Sequence, residues 1–364
     1  MAKEVTLYLD KKIPYCDIFF ETLGFPIIYF DDQSFDISSV KDQAIVVIRS
    51  TYKTHNKKIN SNIKLLCSVS TGEDHVDKAY LKEKGISYAF STGANATAVA
   101  EYIFSSIALL LKEGAISRRD KYLVIGHGNI GSQVSHFFKY IGYDLDVYDP
   151  YSFSTIDNLE SLDQYKLITL HVPLTDNGKH PTKNIVDLNF LKKMRNNTFI
   201  INTSRGGVVK EEDFLGQDSV KIISDVFENE PNINANFHKS TYISTPHIAG
   251  HSQSARFEMT RMAYKNILDF LRREDDGPRG LSVNKVLDIS TQELEDDIKQ
   301  YGFPTSLLLK IYNPKDDVFS INNFKNIRDS YNNRYGFNQI SLTKKLQNKF
   351  KPMLNQLNIK TSYN

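Results

Sequence analysis

Apolar positions in this chain follow two periods that alternate along its length. Short apolar runs at residues 5–9, 27–30, 44–48, 64–69 and 86–90 read as strands, with a helix expected near residues 15–23. Strands alternating with helices imply a parallel sheet. Over residues 97–111 the period becomes helical: Val99, Tyr102, Ile103, Ser106, Ile107 and Leu110 recur at i, i+3, i+4, while Ala108, Leu109 and Leu111 make the end apolar nearly all round. A helix of that kind is buried on several sides, either between domains or against another subunit.

A second alternation starts at residue 122. Residues 122–125 form an apolar run, three glycines follow in Gly126-His-Gly128-Asn129-Ile130-Gly131, and Ile130, Val134, Phe137, Phe138 and Ile141 then share one helical face. A further strand at 145–148 ends in Asp149. Strands at 167–170, 198–201, 220–224 and 242–244, a polar loop at 175–184 and a helix near 188–194 continue a doubly wound sheet. An amphipathic helix at 252–273 leads into a charged, glycine-bearing linker at 272–280. The tail, 281–364, is rich in Asn and Lys, keeps apolar runs such as 307–312 and has no acid after Asp329. It reads as a small α+β domain whose basic end either meets anions or is a solvated face. The expected organisation is therefore α/β: two Rossmann-like doubly wound parallel-sheet domains, one from 1–92 with 252–280 and one from 93–251, plus a small C-terminal α+β domain from 281–364.

Length and composition narrow the function. A chain of 364 residues has ample core for an enzyme, and a net charge of +2 argues against a dedicated nucleic-acid binder. Cys16 and Cys67 are far apart, without CxxC or metal-ligand spacing, and read as reduced core thiols with no metal site. Residues 1–10 look like a charged strand, not a signal sequence, and no apolar run reaches the roughly 18 residues of a membrane span. A cytoplasmic protein is expected.

Candidate chemistry gathers at strand ends. Gly126 permits a tight turn, Gly128 lets a pyrophosphate approach the backbone, and Gly131 lets the helix pack on its strand, with phosphates at the helix N-terminus. Asp149 would accept hydrogen bonds from adenosine ribose hydroxyls and repel a 2′-phosphate, which favours NAD; the alternative is a packing turn with a chance aspartate. In the first domain Arg49, Ser50 and Ser70 to Gly72 follow strands, as ligand contacts or as turn chemistry.

Three later segments also end strands: Asn202-Thr-Ser-Arg205-Gly-Gly, Asp225-Val-Phe-Glu-Asn-Glu230-Pro and Thr245-Pro-His247-Ile-Ala-Gly250. Oxidation of an alcohol needs a base for the hydroxyl proton, and a neutral imidazole such as His247 suits it near pH 7. Glu230 would fix the His247 tautomer and stabilise the imidazolium, and Arg205 would hold a substrate carboxylate in a planar fork. Asp225 would lie near the nicotinamide. Taken singly, each has a structural alternative: a hydrogen-bonded histidine, a surface ion pair, a helix cap.

These motifs, Gly-x-Gly-x-x-Gly, Asn-x-x-Arg-Gly, Asp-Val-x-x-x-Glu-Pro and Thr-Pro-His-Ile-x-Gly in this order over roughly residues 1–275, resemble those of the D-2-hydroxyacid dehydrogenases. Within that family the likeness is greatest to the branch that oxidises 4-phospho-D-erythronate on the way to pyridoxal 5′-phosphate. It rests on Ile48-Arg49-Ser50, Ser70-Thr-Gly72-Glu-Asp74-His-Val-Asp77 and Gly93-Ala-Asn95-Ala-Thr-Ala-Val-Ala-Glu101. The resemblance implies Arg205, Glu230 and His247 as catalytic residues. It implies NAD contacts at Gly126, Gly128, Asn129, Ile130, Gly131, Asp149, Val172, Asp225 and Gly250, and substrate contacts at Arg49, Ser50, Ser70 and His251. It also implies a small phosphorylated 2-hydroxy acid as substrate and a homodimer built on the tail. The chain departs from the branch where His251 replaces a usual Tyr and Ser70 a usual Thr, changes that bear on substrate affinity and leave the chemistry intact. Two other readings stay open: a different 2-hydroxyacid dehydrogenase, such as one for 3-phosphoglycerate, and a non-catalytic NAD sensor of the same fold.

Overall fold

The computed structural model describes residues 5–275, 277–278, 280, 285–317, 319–342 and 348–360. Residues 1–4 of the expected N-terminal strand and Leu281, where the tail begins, lie outside the described residues. Two compact units are present: Met1–Asn95 with Ser254–Ser282, and Ala96–Gln253 with Val283–Asn364.

The first unit holds strands β1 (Thr6–Asp10), β2 (Ile27–Phe30), β3 (Ala44–Ile48), β4 (Ile63–Ser68) and β5 (Ser87–Phe90). They form a parallel sheet in the order β2-β1-β3-β4-β5. Every residue of β3 is buried, as expected of a central parallel strand covered on both faces. One face packs Leu7, Leu9, Ile45, Val47, Leu65 and Cys67 against Phe257, Tyr264 and Ile267 of the helix Gln253–Leu271. Both cysteines are free and buried, and burial pushes each thiol up to about 12. The helix expected near residues 15–23 is broken into Cys16–Phe19 and a 3-10 turn, Glu21–Leu23. Thr22 explains part of the break, because its hydroxyl donates to Phe19 O at 2.6 Å and competes with the helical ladder.

In the second unit β6 (Lys121–Ile125), β7 (Leu145–Tyr148), β8 (Tyr165–Leu170), β9 (Thr198–Asn202), β10 (Val220–Ser224) and β11 (Ile243–Ser244) form a parallel sheet in the order β11-β10-β9-β8-β6-β7. The strand order reverses at β6, with β7 on one side and β8 on the other. That switch point is where open α/β sheets leave a crevice beyond the strand ends.

The helix Ala96–Lys112 is buried along almost its whole length. The chain itself covers it. Phe104 packs on Phe137 and Phe138 of the helix Gly131–Tyr140, with centroids 4.8 and 5.8 Å apart. On another side lie Leu307, Leu308 and Ile311 of the helix Thr305–Ile311, in one apolar cluster with Tyr102, Ile103 and Ile107. The tail adds β12 (Lys285–Leu287) and β13 (Ile340–Leu342), which pair parallel. Its Phe303, Phe337 and Leu354 join the same cluster, so tail and sheet share a core. Among the described residues no helix is long and apolar enough to cross a membrane.

Candidate active site

The turn after β6 is shaped by close packing. Gly126 has φ +92°, and a Cβ there would stand 2.7 Å from the carbonyl atoms of His171 and 3.1 Å from Val172 Cγ1. At Gly131 a Cβ would come within 1.9 Å of Gly126 O, so only glycine lets the helix start against the turn. An added Cβ at Gly128 would meet nothing within 4 Å, so internal packing does not demand that glycine. Asn129 and Ile130 lead into the helix Gly131–Tyr140, whose N-terminus has no side-chain cap and is the end of a helix that can receive an anion. Asp149 follows β7 and closes on the turn: Oδ2 accepts His127 N–H at 2.8 Å and Oδ1 accepts Tyr151 N–H at 2.9 Å. Val172 lines the other side, beyond β8. A tight turn, a helix start and a carboxylate at the β7 tip could hold a dinucleotide.

Beyond β9, β10 and β11 three loops converge. Asn202 Oδ1 accepts Ser204 N–H at 3.1 Å, and its Nδ2 donates to Arg205 O at 3.1 Å, which fixes the first loop. Gly206 then lies so close to Phe227 that a Cβ would meet its carbonyl at 2.1 Å, which seats the Arg205 loop against the loop bearing Glu230. Arg205 Nη1 donates to Ser204 O at 2.8 Å.

Asp225, at the end of β10, is fully buried and organises the third loop. Its Oδ1 accepts Thr245 Oγ1–H at 2.7 Å and Ile248 N–H at 2.8 Å, and its Oδ2 accepts Ala249 N–H at 2.9 Å. Burial pushes this carboxyl up to about 6, against the pull of His247 and the three donors. The loop so held carries His247 with φ +57°, a conformation uncommon outside glycine and often found at functional positions. His247 Nδ1 meets Glu230 Oε2 at 2.6 Å, and Glu230 Oε1 accepts Phe227 N–H at 2.9 Å. Burial pushes the Glu230 carboxyl up, but His247, Arg328 and the Phe227 N–H outweigh it and hold it below its ordinary value. With Nδ1 facing a carboxylate, the neutral ring keeps its proton on Nδ1 and leaves Nε2 as a base. Gly250 is buried, and His251 N–H donates to Ile248 O at 2.8 Å.

The first unit holds the other candidates. Arg49 follows β3, and two of its donors are engaged, Nε with Asp10 at 2.8 Å and Nη2 with Asp32 at 3.0 Å. One guanidinium between two carboxylates leaves little net positive charge for an outside anion. Ser50 is partly exposed beside it. Ser70 Oγ donates to Gly72 O at 3.1 Å and lies 2.8 Å from Ser68 Oγ, so its hydroxyl serves the turn after β4.

Sequence reasoning missed three residues around the pair. Glu211, buried, accepts Glu228 N–H at 2.7 Å. Arg334, buried in the tail, donates through Nη2 to Ala98 O at 2.9 Å and to Ala249 O. Arg328 lies 3.7 Å from Glu230. None stands in a motif; only the tail's apolar spacing hinted that it would dock.

Comparison with known proteins shows the family. The family described as D-isomer specific 2-hydroxyacid dehydrogenase, NAD binding domain, matches residues 112–249. A protein of Ruthia magnifica subsp. Calyptogena magnifica named erythronate-4-phosphate dehydrogenase is 33% identical over 309 residues, 82% of this chain and 87% of that protein. One of the same name from Bacteroides thetaiotaomicron is 31% identical, covering 85% and 90%. Among solved structures, the NAD+-bound 3-phosphoglycerate dehydrogenase of Entamoeba histolytica superposes with a TM-score of 0.60 at 21% identity, over 76% of this chain and 97% of that one, a likeness of fold. Identity of a third across most of both chains, on a sheet whose β6 turn is built for a dinucleotide, makes this chain a member of the D-2-hydroxyacid dehydrogenase family, an NAD-dependent enzyme acting on a small hydroxy acid.

Proposed function

We propose that the enzyme oxidises the C2 hydroxyl of 4-phospho-D-erythronate to (R)-3-hydroxy-2-oxo-4-phosphooxybutanoate, a step toward pyridoxal 5′-phosphate. The observation that carries the chemistry is the 2.6 Å contact between His247 Nδ1 and Glu230 Oε2. The substrate follows from the relatives, which bear that enzyme's name over most of their length. NAD, when bound, accepts the hydride. His247 Nε2 takes the hydroxyl proton, and Glu230 keeps the ring in the required tautomer and stabilises the imidazolium. Arg205 holds the substrate carboxylate, Asp149 disfavours a 2′-phosphate on the cofactor, and Asp225 keeps the loop of residues 245–249 in place.

Ser50, Ser70 and His251 are proposed substrate contacts, each expected to raise KM more than it lowers kcat when replaced by Ala. Arg49 is a weaker partner for the phosphate than its position suggests, because Asp10 and Asp32 already neutralise it. A homodimer in the cytoplasm completes the proposal. It rests on the tail's family resemblance, because the helix Ala96–Lys112 finds its cover within the chain.

The test is His247→Ala. Turnover should fall by roughly 10² to 10⁴ with NAD affinity nearly unchanged. Turnover within a factor of two of the unmodified enzyme removes His247 from the mechanism.

A further inference from the structure

The tail reaches the acid–base pair through an aromatic seat. Phe319 and Phe324 each pack on Phe227 with centroids 6.0 Å apart, and Phe319 lies 4.5 Å from the His238 ring. Ile321 and Ile327 add to the same cluster, so the helix Phe324–Ser330 sits on the loop that carries Glu230. In its last turn Arg328 places Nη1 3.7 Å from Glu230 Oε2, the oxygen that also meets His247 Nδ1. The two side chains are only 20% and 16% exposed, so the pair is partly shielded from solvent.

We propose that Arg328 is a positioning residue for catalysis: a permanent cation, supplied by the C-terminal segment, that keeps Glu230 ionised when His247 is neutral and ready to accept the hydroxyl proton. The inference rests on the reading of His247 as the base. While His247 is protonated, the imidazolium is itself the counter-ion of Glu230. Once the ring is neutral that charge is gone, and the groups facing Glu230 are the Phe227 N–H, the Nδ1–H, Arg328 and the buried Glu211, with Glu228 on the same loop. Asp225 faces His247 from the end of β10. Burial and its acidic neighbours already push Glu211 up to about 7, so the cluster readily takes up a proton, and a fixed cation beside Glu230 keeps that proton off the His247–Glu230 pair. Arg328 is that cation. It acts through Glu230, and its charge limits how tightly the pair holds a proton.

The sign follows. Removing a positive charge makes protonation of the His247–Glu230 pair easier, so the neutral base survives only at higher pH. In full-length Arg328→Gln the acid limb of the kcat/KM profile for oxidation should move up by about half to one pH unit. Below the limb activity then falls about three- to tenfold, with the plateau kept within about twofold. Arg328→Lys should retain most of the original profile, and Arg328→Met serves if the Gln variant does not fold. NMR titration of the His247 ring in histidine-labelled protein, assigned with His247→Asn, should show the same upward move without any substrate.

An unchanged limb and ring titration in the uncharged variant overturns the proposal. So does a lower plateau with no pH shift, which marks Arg328 as structural only. A shifted ring titration in a protein that oxidises no hydroxy acid supports the Arg328 coupling while sinking the catalytic reading.

Discussion

Glu211 carries a prediction that belongs to a single side chain. It is 3% exposed, and burial, with Glu228 and Glu230 nearby, pushes its carboxyl up to about 7 even though it accepts the Glu228 N–H. A carboxyl raised on folding is protonated more readily in the folded chain than in the unfolded one, so stability falls as pH rises from the ordinary value near 4.5 toward 7. Glu211→Gln keeps an acceptor for Glu228 and removes the titration. Relative to the unmodified protein, the variant should gain up to about 3 kcal/mol between pH 5 and pH 8. Urea unfolding of both proteins at the two pH values reads this directly, and a difference that does not change with pH contradicts it. At this scale legibility was uneven. His247 and Glu230 could be paired from chemistry alone, because a base needs an orienting acid. Glu211 and Arg328 could not, because their roles come from which surfaces dock and no local pattern encodes that. Arg49 shows the converse: the strand end was found, but the two aspartates that engage it come from β1 and from the segment after β2.

Among the elements, the helix Ala96–Lys112 and the tail are the informative pair. Its all-round apolar end announced burial on several sides, and the fold meets that demand with the helices Thr305–Ile311 and Gly131–Tyr140. Tyr102 of this helix donates its hydroxyl to Thr245 Oγ1 at 2.8 Å, and Thr245 in turn donates to Asp225, so the buried helix touches the support of the His247 loop. Arg334 ties the tail to the same place by bridging Ala98 O and Ala249 O over the Tyr312 ring. Arg334→Met should therefore destabilise the protein by about 3 kcal/mol, because it strips two buried carbonyls and Glu101 of their cation. Urea unfolding showing a loss below about 0.5 kcal/mol would mean the bridge contributes nothing. Strands were legible to within a residue or two because apolar runs bounded by Gly, Asn and Asp leave little choice. The broken helix of residues 16–23 was not, since a threonine hydroxyl decided it.

For the whole molecule, alternating strands and helices gave the α/β class, and the glycine turn with Asp149 marked which sheet binds the dinucleotide. How the tail is built in was hidden, because Phe303, Leu307 and Phe337 show only that a surface is needed and not whose. Assembly follows from the same ambiguity: with the apolar helix covered internally, the proposed homodimer should appear as twice the chain mass in light scattering at micromolar concentration, and a monomer there removes it from the account. Substrate is the larger question, and it is settled by competition between close analogues. The enzyme should be assayed with NAD, a 2-oxo acid acceptor and a panel of 2-hydroxy acids that includes 4-phospho-D-erythronate, unphosphorylated erythronate, 3-phosphoglycerate and lactate. The account predicts a kcat/KM for 4-phospho-D-erythronate at least about ten times that for any other, a margin of roughly 1.4 kcal/mol; faster turnover of 3-phosphoglycerate or lactate, or oxidation of none of the panel, would contradict it.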